Sequence, residues 1–173
     1  ENPHQRAAFY RSRTGIYDPR DLSGLIAGCK QLHGKELSFN NIADSDAALE
    51  CVKRFKEPAC VIVKHGNPCG VATSDSPVAA YKKAVKTDPT SAIGGVIAFN
   101  GKVDAKTISE ITSNQFVEVI IAPDVSNDVV ETLRAKKNIR LLVSGPDGPN
   151  HLHLELKRVA GGMLIQDADV LIW

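Results

Sequence analysis

The chain has 173 residues, and its 21 Lys and Arg against 20 Asp and Glu give a formal net charge of +1. This near balance argues against a protein that coats nucleic acid, which needs a strongly basic surface. With 43% apolar and 24% charged residues, the composition is that of a folded domain and excludes a mainly disordered chain. We therefore expect no nucleic-acid partner.

The apolar runs are short, as at 59–63 and 119–122. None approaches the ~20 residues that cross a bilayer, so we expect no membrane partner. Residues 1–5 have neither the cationic flank nor the apolar stretch of a signal peptide. Four cysteines occur without a C-x-x-C pair: Cys29, Cys51, Cys60 and Cys69. Neither a zinc knuckle nor a redox motif is indicated, and we expect reduced thiols in a cytoplasmic protein.

Residues 1–43 lack a regular pattern, and we interpret them as an irregular N-terminal arm with a hairpin and a strand-like stretch over 36–39. From residue 44 onward, helix and strand patterns alternate at short spacing. This alternation is typical of an α/β sheet with helices on both faces. We predict an α/β domain over 44–173 with a mostly parallel sheet.

Four helices are predicted. The first covers 44–55 and is capped by Asp44 or Ser45, and the second begins at Ser76-Pro77. The third covers 104–112, and the fourth is capped by Ser126. The predicted strands cover 59–64, 94–99, 117–122 and 139–143, with one or two edge strands within 152–165. The strand at 59–64 is entirely apolar up to Lys64, which predicts burial on both faces between parallel neighbours.

Polar or turn-forming residues follow three of the predicted strands: Lys64-His65, Asn100-Gly101 and Pro123. Ligands of open α/β sheets bind at the carboxyl ends of the strands. We therefore expect these three segments at one edge of the sheet, around a candidate site.

Lys64-His65 is the most informative of these segments. A His can accept and return a proton near neutral pH, and a neighbouring ammonium can stabilise negative charge that develops on a substrate. Gly66 and Gly70 allow the backbone to approach a ligand closely. From spacing alone, the polar exit of a buried strand is the somewhat favoured interpretation of the pair.

A second constellation lies near the C-terminus. His151, His153 and Glu155 alternate with leucines, so that on a strand they share one face and resemble a metal-ligand set. The same alternation is typical of a half-buried edge strand with a solvated polar face. We interpret the run Lys136-Lys137 as a solvated helix end.

Five strings, read together and in order, resemble AICAR transformylase, the part of a bifunctional purine-biosynthesis enzyme that accompanies IMP cyclohydrolase. They are the segments 1–5 (ENPHQ), 38–44 (SFNNIAD), 63–71 (VKHGNPCGV), 87–95 (TDPTSAIGG) and 117–123 (VEVIIAP). The match extends over essentially the whole chain. The chain is similar to the first half of the transformylase domain.

The resemblance implies a three-layer α/β/α, cytidine-deaminase-like fold without a metal. It implies formyl transfer from the co-substrate 10-formyltetrahydrofolate to the 5-amino group of AICAR. In the family pattern, His65 corresponds to the proton acceptor and Lys64 to the transition-state stabiliser, while Gly94 and Glu118 correspond to nucleotide contacts. The resemblance also implies a homodimer for the full-length enzyme.

Some parts of the family pattern are not in this sequence. An Arg and a Tyr that bind the nucleotide would precede Glu1, and a second deaminase-like half would follow Trp173. The cyclohydrolase domain is also not in this sequence. We therefore expect the chain to be a fragment that is inactive by itself. Two alternatives stay open: a non-catalytic fragment that keeps the fold and weak nucleotide binding, and a metal hydrolase that uses His151, His153 and Glu155.

Overall fold

The structure is a computed structural model that describes residues 4–10, 22–148, 154–167 and 169. The helices are α1 (Phe39–Val52), α2 (Pro77–Ala84), α3 (Pro89–Ala92), α4 (Ala105–Asn114) and α5 (Val129–Leu133), and a 3₁₀ turn covers Ile26–Gly28. The strands are β1 (Lys30–His33), β2 (Ala59–Lys64), β3 (Asn67–Thr73), β4 (Val96–Phe99), β5 (Val119–Ala122), β6 (Arg140–Val143), β7 (Leu154–Val159) and β8 (Gly162–Asp167).

The first six strands form one sheet in the order β1-β6-β5-β4-β2-β3. The pairs β4–β5 and β5–β6 are parallel, β2 is antiparallel to both β3 and β4, and β1 is antiparallel to β6. Strands β3 to β6 therefore point the same way, whereas β1 and β2 point the opposite way. This confirms an α/β fold with a mostly parallel sheet.

The prediction that β2 has parallel neighbours is wrong. Strand β3 begins at Asn67, directly after the turn that ends β2, and pairs antiparallel with β2. Pro68 and Gly70 obscure β3 in the sequence because they are rare in strand interiors, and Pro is tolerated here because β3 is an edge strand. The parallel crossover therefore connects β3 through α2 to β4, with β2 between them.

Helices cover the sheet on both faces. On one face, α1 packs Ala48, Leu49 and Val52 against apolar residues of the central strands. On the other face, residues of α2, α4 and α5 pack around Phe99 and Ile120. The predicted burial of β2 is confirmed, since its residues 60–63 are fully buried.

Two predicted helix starts are wrong. Helix α1 begins at Phe39, five residues before Asp44, because Ser38 and Asn41 form a reciprocal capping box. The expected strand over 36–39 is therefore replaced by the cap and the first helical residue. Helix α5 has Asp128 as its N-cap, and the Ser126 hydroxyl donates to the carboxylate of Asp128 instead of capping the helix.

The expected edge strands within 152–165 are also placed differently. Strands β7 and β8 form a separate antiparallel ribbon and, among the described residues, pair only with each other. Strand β1, within the range predicted as an arm, is an edge of the main sheet. The domain division at residue 43 stays a prediction.

In the described ranges, no helix combines the length and apolar content required to cross a membrane.

Helix α2 lies very close to β3 at Gly70. A Cβ added at Gly70 would stand 2.4 Å from the carbonyl oxygen of Ala84, where no side chain fits without a shift of the backbone. At Gly101, by contrast, an added Cβ would meet no atom within 4 Å. The packing of α2 on the sheet therefore depends on glycine at position 70.

We expect Gly70→Ala to lower the free energy of unfolding by about 2 to 3 kcal/mol, because the clash forces α2 away from β3. Gly101→Ala is the matched control and should change it by less than about 0.5 kcal/mol. Chemical denaturation of both variants provides the measurement. Equal stabilities of the two variants would contradict the close packing.

Candidate functional site

The reversed direction of β2 determines which loops meet at one edge of the sheet. The carboxyl end of β2, with Lys64 and His65, lies beside the amino ends of β4 and β5, because β2 is antiparallel to β4. Gly94 precedes β4 and Glu118 precedes β5. All four residues predicted for the site therefore lie at the same edge.

The expected grouping of Lys64-His65 with Asn100 and Pro123 is wrong. Asn100 follows β4 and Pro123 follows β5, so both lie at the opposite edge. Asn100 has a structural role there. Its side-chain oxygen accepts from the Ala59 amide at 2.8 Å, and its side-chain nitrogen donates to the carbonyls of Phe55 and Glu57.

His65 occupies the tip of a two-residue hairpin turn. Lys64 pairs with Asn67 across the turn, and the two residues between them, His65 and Gly66, have φ angles of 55° and 76°. Positive φ at both central positions defines a type I′ turn, which matches the twist of the flanking strands. The turn presents an exposed imidazole beyond the end of β2.

Asp44 of α1 holds this turn in place. Its carboxylate accepts from the His65 amide at 3.2 Å and from the Gly66 amide at 2.7 Å. A non-glycine residue at positive φ is strained and persists when its surroundings compensate. Asp44, which the sequence suggested as a helix cap, therefore acts as the residue that positions His65.

The Lys64 ammonium donates to the carbonyl of Ile93 at 2.6 Å, in the loop before β4. Helix α3 shapes this loop, since the Asp88 carboxylate caps it by accepting from the amide and hydroxyl of Ser91. These bonds from Ser91, with a smaller contribution from the charge of Lys64, lower the pKa of Asp88. The candidate catalytic lysine is therefore tied to the loop that carries Gly94.

Glu118 is held in place by helix α1. Its Oε2 accepts from the side-chain amide of Asn41 in α1 at 2.7 Å, and this is its one side-chain hydrogen bond among the described residues. Its amide donates to the carbonyl of Gly95 at 3.2 Å, and the Gly94 amide donates to the carbonyl of Phe116 at 2.8 Å. These backbone bonds join the loops before β4 and β5.

The cysteines have buried or partly buried thiols with raised pKa values. Burial raises the pKa of Cys60, which is fully buried, and raises that of Cys29 to about 11. Burial also raises the pKa of Cys51 and, with a smaller contribution from Asp88, that of Cys69. Thiols that stay protonated near neutral pH are poor nucleophiles, so none of the four cysteines is indicated as a nucleophile.

The possible metal-ligand set is only partly within the described residues. His151 and His153 lie outside them, and the carboxylate of Glu155 accepts from the side-chain amide of Gln166 at 2.7 Å. Among the described residues, no three His, Cys, Asp or Glu side chains are grouped to hold a metal ion. The metal hypothesis stays a prediction.

Sequence reasoning missed Asp44, Asn41 and Asp88, which hold the functional loops. Asp44 and Asn41 belong to the segment 38–44 and Asp88 to the segment 87–95, both of which carried the family resemblance. The polar residues within these two segments were the available signal, because they indicate hydrogen bonds that position the site and not only packing.

A family model described as AICARFT/IMPCHase bienzyme matches residues 1–172. Among solved structures, RibD of Acinetobacter baumannii, form 2, is similar with 16% sequence identity and a TM-score of 0.39. The similar region covers 57% of this chain and 34% of the RibD chain. The chain therefore spans about a third of the length of that structural relative.

Replacement of Asp44 by Ala should loosen the turn without unfolding the domain. The amides of His65 and Gly66 would lose their common acceptor, and hydrogen bonds to a carboxylate are worth about 1.5 kcal/mol before screening by solvent. We expect hydrogen exchange at these two amides to accelerate roughly tenfold. Glu50→Gln, elsewhere on α1, is the control. Unchanged exchange in Asp44→Ala would rule out the positioning role of Asp44.

Proposed function

Because the chain belongs to the AICARFT/IMPCHase bienzyme family of purine biosynthesis, we propose that it contributes the Lys-His part of a formyl-transfer site. The reaction transfers the formyl group of 10-formyltetrahydrofolate to the 5-amino group of AICAR. The observation that carries the proposal is the convergence of Lys64, His65, Gly94 and Glu118 at one sheet edge.

The chemistry requires a base and a group that stabilises negative charge. The AICAR amine nitrogen attacks the formyl carbon, a C–N bond forms, and the carbonyl oxygen becomes an oxyanion. The imidazole of His65 accepts the proton that the amine loses. The bond from the formyl carbon to N10 of the folate then breaks, and N10 takes up a proton as it leaves.

Lys64 is suited to stabilise the negative charge of the oxyanion. Its ammonium has three N–H donors, of which one is directed to the Ile93 carbonyl. The remaining donors are available for the oxyanion, and the bond to Ile93 fixes the ammonium before the reaction begins. A cation that needs no reorganisation is effective in transition-state stabilisation.

Gly94 and Glu118 are suited to contact the nucleotide AICAR. A carboxylate only accepts hydrogen bonds, so Glu118 suits the hydroxyl groups of a ribose. Asn41 fixes this carboxylate through Oε2. The Gly94 segment is joined to Phe116 by a backbone hydrogen bond, which keeps the two loops in register.

The proposal extends to the rest of the protein. The co-substrate is a folate, no metal takes part, and the full-length enzyme also carries IMP cyclohydrolase activity and forms a homodimer. The four cysteines are free thiols, which agrees with a place in the reducing cytoplasm.

His65→Ala in the complete protein should lower the rate of formyl transfer by roughly 10² to 10⁴, the usual range for the loss of a general base. The dissociation constant for AICAR should change much less, because the proposed nucleotide contacts remain. Turnover is measured spectroscopically with both substrates, and AICAR binding by calorimetry. Near-normal turnover in this variant would remove His65 from the mechanism.

Lys64→Met keeps the length of the side chain and removes its charge. We expect a decrease in kcat of roughly 10²-fold or more, the scale for loss of one preorganised electrostatic contact. Lys86→Met, at an exposed position just after α2, is the matched control and should keep normal turnover. If both variants lost activity equally, the effect would not arise from stabilisation of the oxyanion.

The complete protein, and not the isolated chain, distinguishes the proposal from the alternative of a non-catalytic fragment. Both predict that the 173-residue chain by itself lacks turnover, since two substrates must be held in attack geometry. Under the proposal, the complete protein transfers formyl groups and depends on His65. A complete protein that binds AICAR without transferring a formyl group would favour the alternative.

A further inference from the structure

The carbonyl that holds the Lys64 ammonium belongs to the residue directly after a single helical turn. Helix α3 has four residues, Pro89–Ala92, and Ile93 is its C-cap, whose carbonyl accepts from the lysine at 2.6 Å. A helix of one turn is unstable by itself, because nucleation fixes several dihedral angles for one hydrogen bond. The position of the Ile93 carbonyl therefore depends on the interactions that hold this turn together.

Asp88 holds the turn from its amino end. One carboxylate oxygen accepts from the Ser91 amide at 2.9 Å, and the other accepts from the Ser91 hydroxyl at 2.6 Å. The backbone carbonyl of Asp88 accepts from the Ala92 amide at 3.1 Å, which closes the turn. Pro89 at the first helical position supplies a φ angle that suits a helix. Asp88 thus fixes the turn up to the residue before Ile93.

Ile93 itself is weakly supported within the described part of the chain. Its side chain is 50% exposed, and its amide bond to the Thr90 carbonyl is long at 3.4 Å. Its two neighbours are held firmly, since Ala92 is buried and the Gly94 amide donates to the Phe116 carbonyl at 2.8 Å. The orientation of the Ile93 carbonyl between these two points is therefore set by the capped turn.

The charges of Asp88 and Lys64 also act on each other. Hydrogen bonds from Ser91 and, to a smaller extent, the charge of Lys64 lower the pKa of Asp88. Burial raises the pKa of Cys69, Asp88 raises it further, and Lys64 opposes this. Asp88 and Lys64 both lie in the described part of the chain and form no direct ion pair there, so the structural connection between them is α3.

We propose that Asp88 is a positioning residue for formyl transfer, which acts through α3 and the Ile93 carbonyl to hold the Lys64 ammonium where the oxyanion forms. The inference rests on the proposed function, because it assigns a task to a residue outside the reacting groups. Loss of the cap would leave the lysine charged but loosely placed. A misplacement of about 1 Å can lower a rate about 10²-fold.

The chain contains a second cap of the same construction, which provides a matched control. The carboxylate of Asp104, at the start of α4, accepts from the Thr107 amide at 2.8 Å and from the Thr107 hydroxyl at 2.6 Å. These bonds lower the pKa of Asp104, as those from Ser91 lower that of Asp88. Asp104 follows β4 and lies at the edge of the sheet opposite Lys64. Asp104→Ala therefore removes an equivalent cap without touching the site.

The test measures kcat and the KM of each substrate for Asp88→Ala, Asp88→Asn and Asp104→Ala in the complete protein. Each variant is made alone and in combination with Lys64→Met, and chemical denaturation checks that each is folded. A double-mutant cycle of this kind shows whether two residues act through each other.

We expect Asp88→Ala to lower kcat roughly tenfold, less than the roughly 10²-fold loss for removal of the lysine charge itself. The KM for AICAR should change less than about twofold, because the lost contact acts in the transition state. Asp88→Asn should keep kcat within about twofold, since Asn caps helices as well as Asp. Asp104→Ala should keep normal turnover. Added to Lys64→Met, Asp88→Ala should cause no further loss.

Four results would overturn the inference: normal kcat in Asp88→Ala, an equal loss in Asp104→Ala, an equal loss in Asp88→Asn, or an undiminished loss when Asp88→Ala is added to Lys64→Met. If the unmodified complete protein transfers formyl groups and any of these results is found, only the inference about Asp88 fails. If the unmodified complete protein transfers no formyl group to AICAR, the proposed function fails and the inference fails with it.

Discussion

The antiparallel position of β2 between β3 and β4 is the constraint on which the candidate site depends. A parallel β2 would end at the opposite edge of the sheet, close to Asn100 and far from Gly94 and Glu118. The tight hairpin with β3 fixes this direction, because two residues are enough to reverse the chain. Burial of β2 on both faces then holds its carboxyl end in one place.

The hairpin turn alone does not determine the position of the His65 imidazole. Helix α1 contributes two polar side chains one turn apart, Asn41 and Asp44, which bond to Glu118 and to the turn of His65. The capping box at Ser38 fixes the start of this helix, and the apolar residues that follow anchor it to the sheet. A change in the register of α1 would therefore disturb both sides of the site together.

The opposite face of the sheet organises the site in another way. Here the loops before β4 and β5 are joined backbone to backbone through Gly94 and Phe116, and the loop before β4 holds Lys64. The end of α4 is connected to α2 by the side chain of Asn114, which donates to the buried Tyr81 at 3.0 Å. The loop that anchors Lys64 and the end of α4 are thus connected to the same buried framework.

The sequence by itself determined the α/β class, the burial of residues 60–63 and most helix and strand positions, because hydrophobic periodicity and capping residues are local signals. It also indicated Lys64 and His65 as a reactive pair, since two basic groups directly follow a buried strand. The tertiary structure alone decided the direction of β2 and the meeting of the pair with Gly94 and Glu118. The reason is physical, because strand direction depends on pairing between segments that the sequence pattern does not relate. In addition, Pro68 and Gly70 are unusual in a strand, and β3 accommodates them because it is an edge strand packed closely against α2.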